Sequence, residues 1–111
     1  MIILVGDIGG THSRIAYCTF EGGQAECVVE EIYPSIEYHS LDAIVGKFVA
    51  SYGKRSKRAC FAVPGPVRDG RVQTTNLPWT VDASRLEQGL ALKTGAIITD
   101  LEAIAYRVDV L

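Results

Sequence analysis

The sequence has no apolar run longer than five residues, far short of the roughly 20 that a membrane-spanning helix needs. Ile2–Val5 is also too short for the apolar region of a secretory leader. Strong charge is missing as well. Eleven Lys and Arg face 13 Asp and Glu, for a net charge of −2. Such a balance gives no general pull toward nucleic acid or an anionic membrane, and neither is expected as a partner. The three cysteines, Cys18, Cys27 and Cys60, form no CxxC pair and no Cys/His metal spacing. The simplest reading is reduced thiols in a cytoplasmic protein, each behaving as a small apolar side chain. The composition of a disordered chain is absent too, since 48% of residues are apolar and 22% charged. No internal repeat, low-complexity tract or interdomain linker interrupts the 111 residues, a length that suits one domain with its own core.

Against this plain background the first fourteen residues, MIILVGDIGGTHSR, are informative. An apolar run, Ile2–Val5, meets Gly6-Asp7, and a two-glycine turn, Gly9-Gly10-Thr11, follows before a second apolar segment. Glycines let backbone N–H groups approach closely and form a concave donor cluster for an anion. A carboxylate at Asp7 would repel phosphate directly. It becomes useful if Mg²⁺ lies between carboxylate and phosphate. The segment therefore predicts a nucleotide phosphate site with a metal near Asp7.

The rest of the chain reads as an α/β layer fold. Ile2–Val5, Ser13–Phe20 and Glu26–Tyr33 predict three strands in an antiparallel meander, the third ended by Pro34. Ser40 is a candidate N-cap for a helix with apolar positions Leu41, Ile44, Val45, Phe48, Val49 and Tyr52, closed by Gly53. The basic run Lys54–Arg58 lacks interleaved aromatics and reads as a solvated connection. Ala59–Val63 is a further strand, broken by Pro64-Gly65-Pro66. Asp69-Gly70 supports a tight primed turn in a hairpin over Val67–Val72. Thr74–Trp79 is a polar loop whose Trp79 reads as packing. Ser84 and Glu87 have capping-box spacing for a short helix, Arg85–Leu92, with Gly95 beyond its end. Ala96–Thr99 is a last strand, and a final helix follows Asp100. Strands that meander and then alternate with helices predict a mixed sheet covered by helices.

Three polar sites fall at strand ends, where open α/β sheets collect ligands. They are Asp7–Thr11, the pair Pro64-Gly65 with the Thr75-Asn76 loop, and Asp100. Asp100 is placed to cap a helix. The same carboxylate could accept the proton of a substrate hydroxyl attacking a phosphoryl group. Asn76 offers both a carbonyl and an NH₂, which suits a sugar, and it equally suits a turn. Arg14 stands near the glycine turn, to meet either phosphate or a carboxylate. His12 and His39 have no metal spacing and no paired nucleophile.

These residues carry a resemblance. Gly6–Arg14 is similar to the first phosphate motif of bacterial-type glucokinases, GD(I/V)GGTN(A/S)R, in the sugar kinase, actin and heat-shock ATPase superfamily. Ala62–Val67 with Thr75-Asn76-Leu77-Pro78-Trp79 resembles that family's middle segment. Ile97–Ala103 resembles its I-x-N-D-F-x-A segment. The resemblance implies a ribonuclease-H-like lobe and ATP-dependent phosphorylation of glucose at its 6-hydroxyl. It implies Asp100 as catalytic base, Asp7 near Mg²⁺, and Gly9, Gly10, Thr11 and Arg14 around the nucleotide phosphates. It places Gly65, Asn76, Thr99 and Asp100 on the sugar side of the cleft. The chain departs from the pattern at His12 and Thr99, where Asn is usual, and at Leu101, where Phe is usual.

The resemblance further implies a C-terminal lobe carrying the remaining sugar ligands and the adenosine-binding glycines. No such segment stands in these 111 residues. Residues 1–111 are therefore expected to be an N-terminal lobe, inactive alone because lobe closure excludes water and aligns the transfer. An apolar face meant for that lobe would favour self-association, a homodimer being its simplest form. Rival expectations are a kinase for another hexose or amino sugar and a sugar-binding regulator of the same fold. The related repressors carry a helix-turn-helix before the phosphate motif, and here the motif opens the sequence.

Overall fold

The computed structural model describes residues 2–22, 24–65, 67–74, 77–89 and 94–98. Three strands, β1 (Ile2–Ile8), β2 (His12–Glu21) and β3 (Gln24–Pro34), form the expected meander. β4 (Arg58–Ala62) adds parallel to β1, and β8 (Thr94–Ile98) adds parallel to β4. The five-stranded order is β3-β2-β1-β4-β8. β5 (Val67–Arg68), β6 (Arg71–Gln73) and β7 (Thr80–Asp82) form a separate antiparallel sheet.

The first helix, α1 (Leu41–Tyr52), follows its sequence signals. The Ser40 hydroxyl accepts a hydrogen bond from the Ala43 N–H, and the Gly53 N–H bonds back to the Val49 carbonyl. Leu41, Ile44, Val45 and Phe48 are buried along one stripe. They pack on Leu4, Ile8, Ile15, Tyr17, Ala59 and Phe61 from the near face of the large sheet. Val72, Trp79, Val81 and Leu86 extend the same core under the small sheet. Each such buried side chain contributes about 1.5–3 kcal/mol relative to exposure. Trp79 is packing, as expected: it is buried, and its indole N–H donates to the Tyr38 carbonyl.

The Lys54–Arg58 run is anchored by its backbone and its one hydroxyl. The Arg55 N–H bonds the buried Tyr17 hydroxyl, which in turn donates to the Gly53 carbonyl. Ser56 donates to the Ile2 carbonyl. The tight turn at Asp69-Gly70 is also as expected, with φ of 53° and 74° at its two central residues.

Four expectations need correction. The first strand runs on to Ile8, so Gly6 and Asp7 lie inside it. The second helix, α2, spans Ala83–Gly89, and its cap is Asp82, not Ser84. One carboxylate oxygen of Asp82 accepts from the N–H groups of Ser84 and Arg85. The Arg85 N–H above all, with the Arg71 guanidinium and the Ser84 N–H, holds this carboxyl below its ordinary range. Gly95 lies within β8, which starts at Thr94, so it does not mark a helix end. A 3₁₀ turn, Ser35–Glu37, and the strand β7 had no recognised signal. The final helix expected after Asp100 lies outside the described residues.

The fourth correction concerns the cysteines. Cys18 and Cys27 form a disulfide. The hairpin register sets them opposite one another, beside a shift in pairing at Tyr17/Cys18. Periodicity could not reveal this, because register depends on where the turn at Gly22 falls. Cys60 is buried in the sheet. The bridge joins residues nine apart in sequence, so closing that loop contributes at most about 2–3 kcal/mol. Adding a reductant is expected to lower the urea midpoint, with a loss of unfolding free energy no larger than this, and the Cys27→Ser variant should be insensitive to the reductant. A midpoint unmoved by reductant in the unsubstituted protein would show that the bridge does not contribute.

Candidate active site

Strand β1 lies between β2 and β4, with Asp7 opposite Arg14 on one side and Ala62 on the other. Ala62 pairs in turn with Ile98. Because β1, β4 and β8 run parallel, their carboxyl ends come to one edge of the sheet. The Gly9–Thr11 turn and the Val63–Gly65 segment both leave from that edge. Thr99 and Asp100 follow the strand whose end pairs beside Ala62, and they lie outside the described residues, as does Asn76.

The turn itself is compact. The Gly9 N–H bonds the His12 carbonyl at 3.0 Å. A Cβ at Gly9 would stand 2.8 Å from that same oxygen, so no other residue fits without moving backbone. Gly10 is half-buried and Thr11 exposed. Gly65 is constrained by conformation and by space. Its φ is 136°, and a Cβ there would meet the Gln73 carbonyl oxygen at 2.7 Å. Gly65 thus fixes how the chain leaves β4 and passes the small sheet.

Asp7 is half-buried near the end of β1. Alternation puts it on the far face of the sheet, with Ile3 and Val5. Arg14 resolves in favour of a carboxylate: its guanidinium pairs with Glu30 on β3, the Nε–Oε2 distance being 2.7 Å. Both side chains are about half exposed, so the pair adds little to stability. Among the described residues no group of three or more His, Cys, Asp and Glu could enclose a metal. A single carboxylate two residues before a glycine turn is nevertheless compatible with Mg²⁺, which keeps several waters and takes few protein ligands. His12 and His39 are exposed.

Sequence reasoning missed two residues at the turn. Ser13 and Ser35 are both completely buried, with hydroxyl oxygens 2.7 Å apart. The Ser35 hydroxyl donates to the Gly9 carbonyl at 2.7 Å, and the Ser35 N–H bonds the Thr11 carbonyl at 3.0 Å. The available signal was the pairing of His12 with Pro34, which brings the residue after Pro34 beside Thr11. That pairing depends on the hairpin register.

The chain matches the family model described as Glucokinase over residues 4–111. It is 32% identical over 110 residues to a glucokinase of Psychromonas ingrahamii, covering 99% of this chain and 34% of that protein. A glucokinase of Tolumonas auensis is 32% identical over 109 residues, with 98% and 33% covered. Among solved structures, a glucokinase from an Antarctic psychrotroph superposes with a TM-score of 0.84 at 32% identity, over 97% of this chain and 35% of that one. A putative N-acetylmannosamine kinase from Listeria monocytogenes shares the fold, at a TM-score of 0.66 and 19% identity. The chain spans about a third of the length of the curated relatives it matches. Among the described residues no helix is long and apolar enough to cross a membrane. With its glycine turn, its sheet order and this likeness along nearly its whole length, the chain belongs to the glucokinase family.

Proposed function

We propose that residues 1–111 are the N-terminal lobe of a glucokinase whose complete form transfers the γ-phosphoryl group of ATP to the 6-hydroxyl of glucose, in the cytoplasm. The observation that carries this reading is the Gly9 turn at the end of β1. Only glycine fits there, Asp7 stands two residues before it, and the ends of β4 and β8 lie at the same edge.

In this reading Gly10 and Thr11 bind the nucleotide phosphates through backbone N–H groups, while Gly9, whose own N–H is taken by the His12 carbonyl, lets the backbone come close to them. Asp7 holds Mg²⁺ through phosphate or water, and the ion supplies charge neutralisation of the phosphates when bound. Arg14, paired with Glu30, contributes positive potential near the turn. Gly65 and Asn76 stand on the sugar side, with Thr99. Asp100 takes the proton of the 6-hydroxyl as its oxygen bonds to the γ-phosphorus. The bond from that phosphorus to the β–γ bridging oxygen breaks, and the electron pair leaves with ADP.

The second lobe brings the remaining ligands of sugar and adenosine, and it covers apolar surface that this chain leaves open. Val28, Ile32 and Ile36 are exposed, the last at 83%. The same residues could serve a homodimer contact.

Thr99 in place of the family's usual Asn favours a second reading, in which the preferred acceptor is another hexose or an amino sugar. One hydroxyl cannot supply the paired donor and acceptor of an amide.

A coupled assay with ATP and a panel of glucose, fructose, N-acetylmannosamine and N-acetylglucosamine tests both readings in the complete protein. Turnover is expected with glucose, and Asp100→Asn should reduce kcat by about 10²–10⁴-fold. Unchanged turnover in that variant would remove Asp100 as the base, and no turnover with any sugar would overturn the kinase reading. In the same assay the 111-residue chain alone should be silent. Thr99→Asn is expected to lower the KM for glucose by about two- to tenfold, the value of one added hydrogen bond. A fall in KM for a different sugar instead would establish the second reading.

A further inference from the structure

The buried Ser13–Ser35 pair has no role in the chemistry above, yet it is joined directly to the phosphate turn. Its hydrogen bonds have a definite direction. Ser35 has one hydroxyl proton, and it is given to the Gly9 carbonyl. The contact between the two serine oxygens must therefore be a donation from Ser13 to Ser35. The result is a relay, Ser13 to Ser35 to the Gly9 oxygen. Each donation polarises the next.

The relay fixes the orientation of one peptide plane. In a trans peptide the carbonyl of one residue and the N–H of the next point in opposite directions. No cis peptide occurs among the described residues. With the Gly9 oxygen held toward Ser35, the Gly10 N–H is directed away from it. A second attachment, from the Ser35 N–H to the Thr11 oxygen, holds the far side of the turn. The Gly9 N–H is occupied by the His12 carbonyl. Three of the turn's carbonyls, at Gly9, Thr11 and His12, are thus satisfied from within the protein. Such carbonyls would repel a phosphate if they swung outward. A glycine pair without side chains has little else to stop its peptide from flipping.

We propose that Ser35, oriented by Ser13, is a positioning residue for the nucleotide phosphates, fixing the Gly9–Gly10 peptide with its N–H toward the anion and its carbonyl away. This rests on the reading of the turn as the ATP phosphate site. The serine pair substitutes for the rigidity that a two-glycine turn lacks. The hydroxyl bonds of the pair end at Gly9 and touch none of the sugar-side residues, so the effect expected of them is on the nucleotide.

The test uses the complete protein with Ser35→Ala and, separately, Ser13→Ala. Ser35→Ala leaves a buried carbonyl unsatisfied and frees the peptide. It is expected to raise the KM for ATP, and the ATP dissociation constant measured by calorimetry, about tenfold. The KM for the sugar should stay within about twofold, because the added cost falls on the turn's own peptide. Ser13→Ala keeps the donation to Gly9 but removes its polarisation, and about a two- to threefold rise for ATP alone is expected. Equal changes in both KM values, or no change for ATP in either variant, would overturn the proposal. Should Ser35→Ala fail to fold, Ser13→Ala decides by the same criterion. If the unsubstituted protein phosphorylates no sugar, the calorimetric ATP constants still decide, and the failure belongs to the kinase reading. If it binds no ATP at all, the positioning role falls with that reading.

Discussion

The parallel pairing of β1 with β4 governs the rest of this molecule. At Gly6 the two strands leave no room for a side chain in the core. A Cβ there would stand 2.4 Å from a ring carbon of Phe61, a distance no real contact sustains. Phe61 fills the space that Gly6 vacates, so a residue one register step away would collide with the ring. This contact fixes which residue of β1 faces which residue of β4. Through it, Asp7 is held beside Ala62 and the turn after Ile8 is held level with the segment after Ala62. A slip of one residue would carry every side chain of β1 to the opposite face of the sheet. Asp7 would then enter the core beneath α1, and Leu4 would be stranded on the far face.

From that register the two halves of the site acquire different supports. The half at the Gly9–Thr11 turn is gathered around Ser35, which bonds the Gly9 and Thr11 carbonyls and the Ser13 hydroxyl. The half at Gly65 and β8 is assembled from separate segments. Gly65 depends on its close approach to Gln73 in the small sheet, and β8 reaches the edge only through its pairing with β4. Trp79 ties the small sheet to the large one by its bond to the Tyr38 carbonyl, and Tyr38 follows directly on the 3₁₀ turn that carries Ser35. The two halves thus share one structural element, the short segment between β3 and α1.

Where local chemistry decides structure, the sequence was legible. Ser40 and Gly53 bracket α1 because a hydroxyl and a glycine satisfy orphan backbone groups at helix ends. Asp69-Gly70 turns the hairpin because both residues tolerate positive φ. The tight glycine turn after β1 was visible for the same reason. Register over longer distances was not legible. Cys18 and Cys27 meet only because of the pairing that includes the irregularity beside Cys18. Ser84 was a plausible cap by spacing, but the chain enters α2 directly from β7, which puts the cap two residues earlier at Asp82, where its carboxylate reaches the N–H groups of Ser84 and Arg85. Ser35 gave no signal because a serine after a proline is ordinary in a turn, and its burial depends on Thr11 being its neighbour. Asn76, Thr99 and Asp100 were assigned through motif alone and lie outside the described residues.

An edge strand of the sheet supports the Gly9–Thr11 turn. β3 is an edge strand, exposing Val28 and Ile32 and joined on one side only. An edge strand has half the ladder bonds of an inner strand and is prone to fray or to pair elsewhere. Here it is fastened at both ends. Near its start, Cys27 is bonded to Cys18 across the bulge. Just past its end, Ser35 is bonded to Ser13, Gly9 and Thr11. Between them Glu30 holds Arg14, and Tyr33 is buried against the core. Loosening of the strand would free Ser35 and release the Gly9–Gly10 peptide, so the order of the Gly9–Thr11 turn is linked to the order of the edge. Charged residues at Glu26, Glu30 and Glu31 make that edge unfavourable for pairing with another strand. The Gly9–Thr11 turn therefore takes its geometry from a margin of the sheet that is held in place by a cystine, an ion pair and two serines.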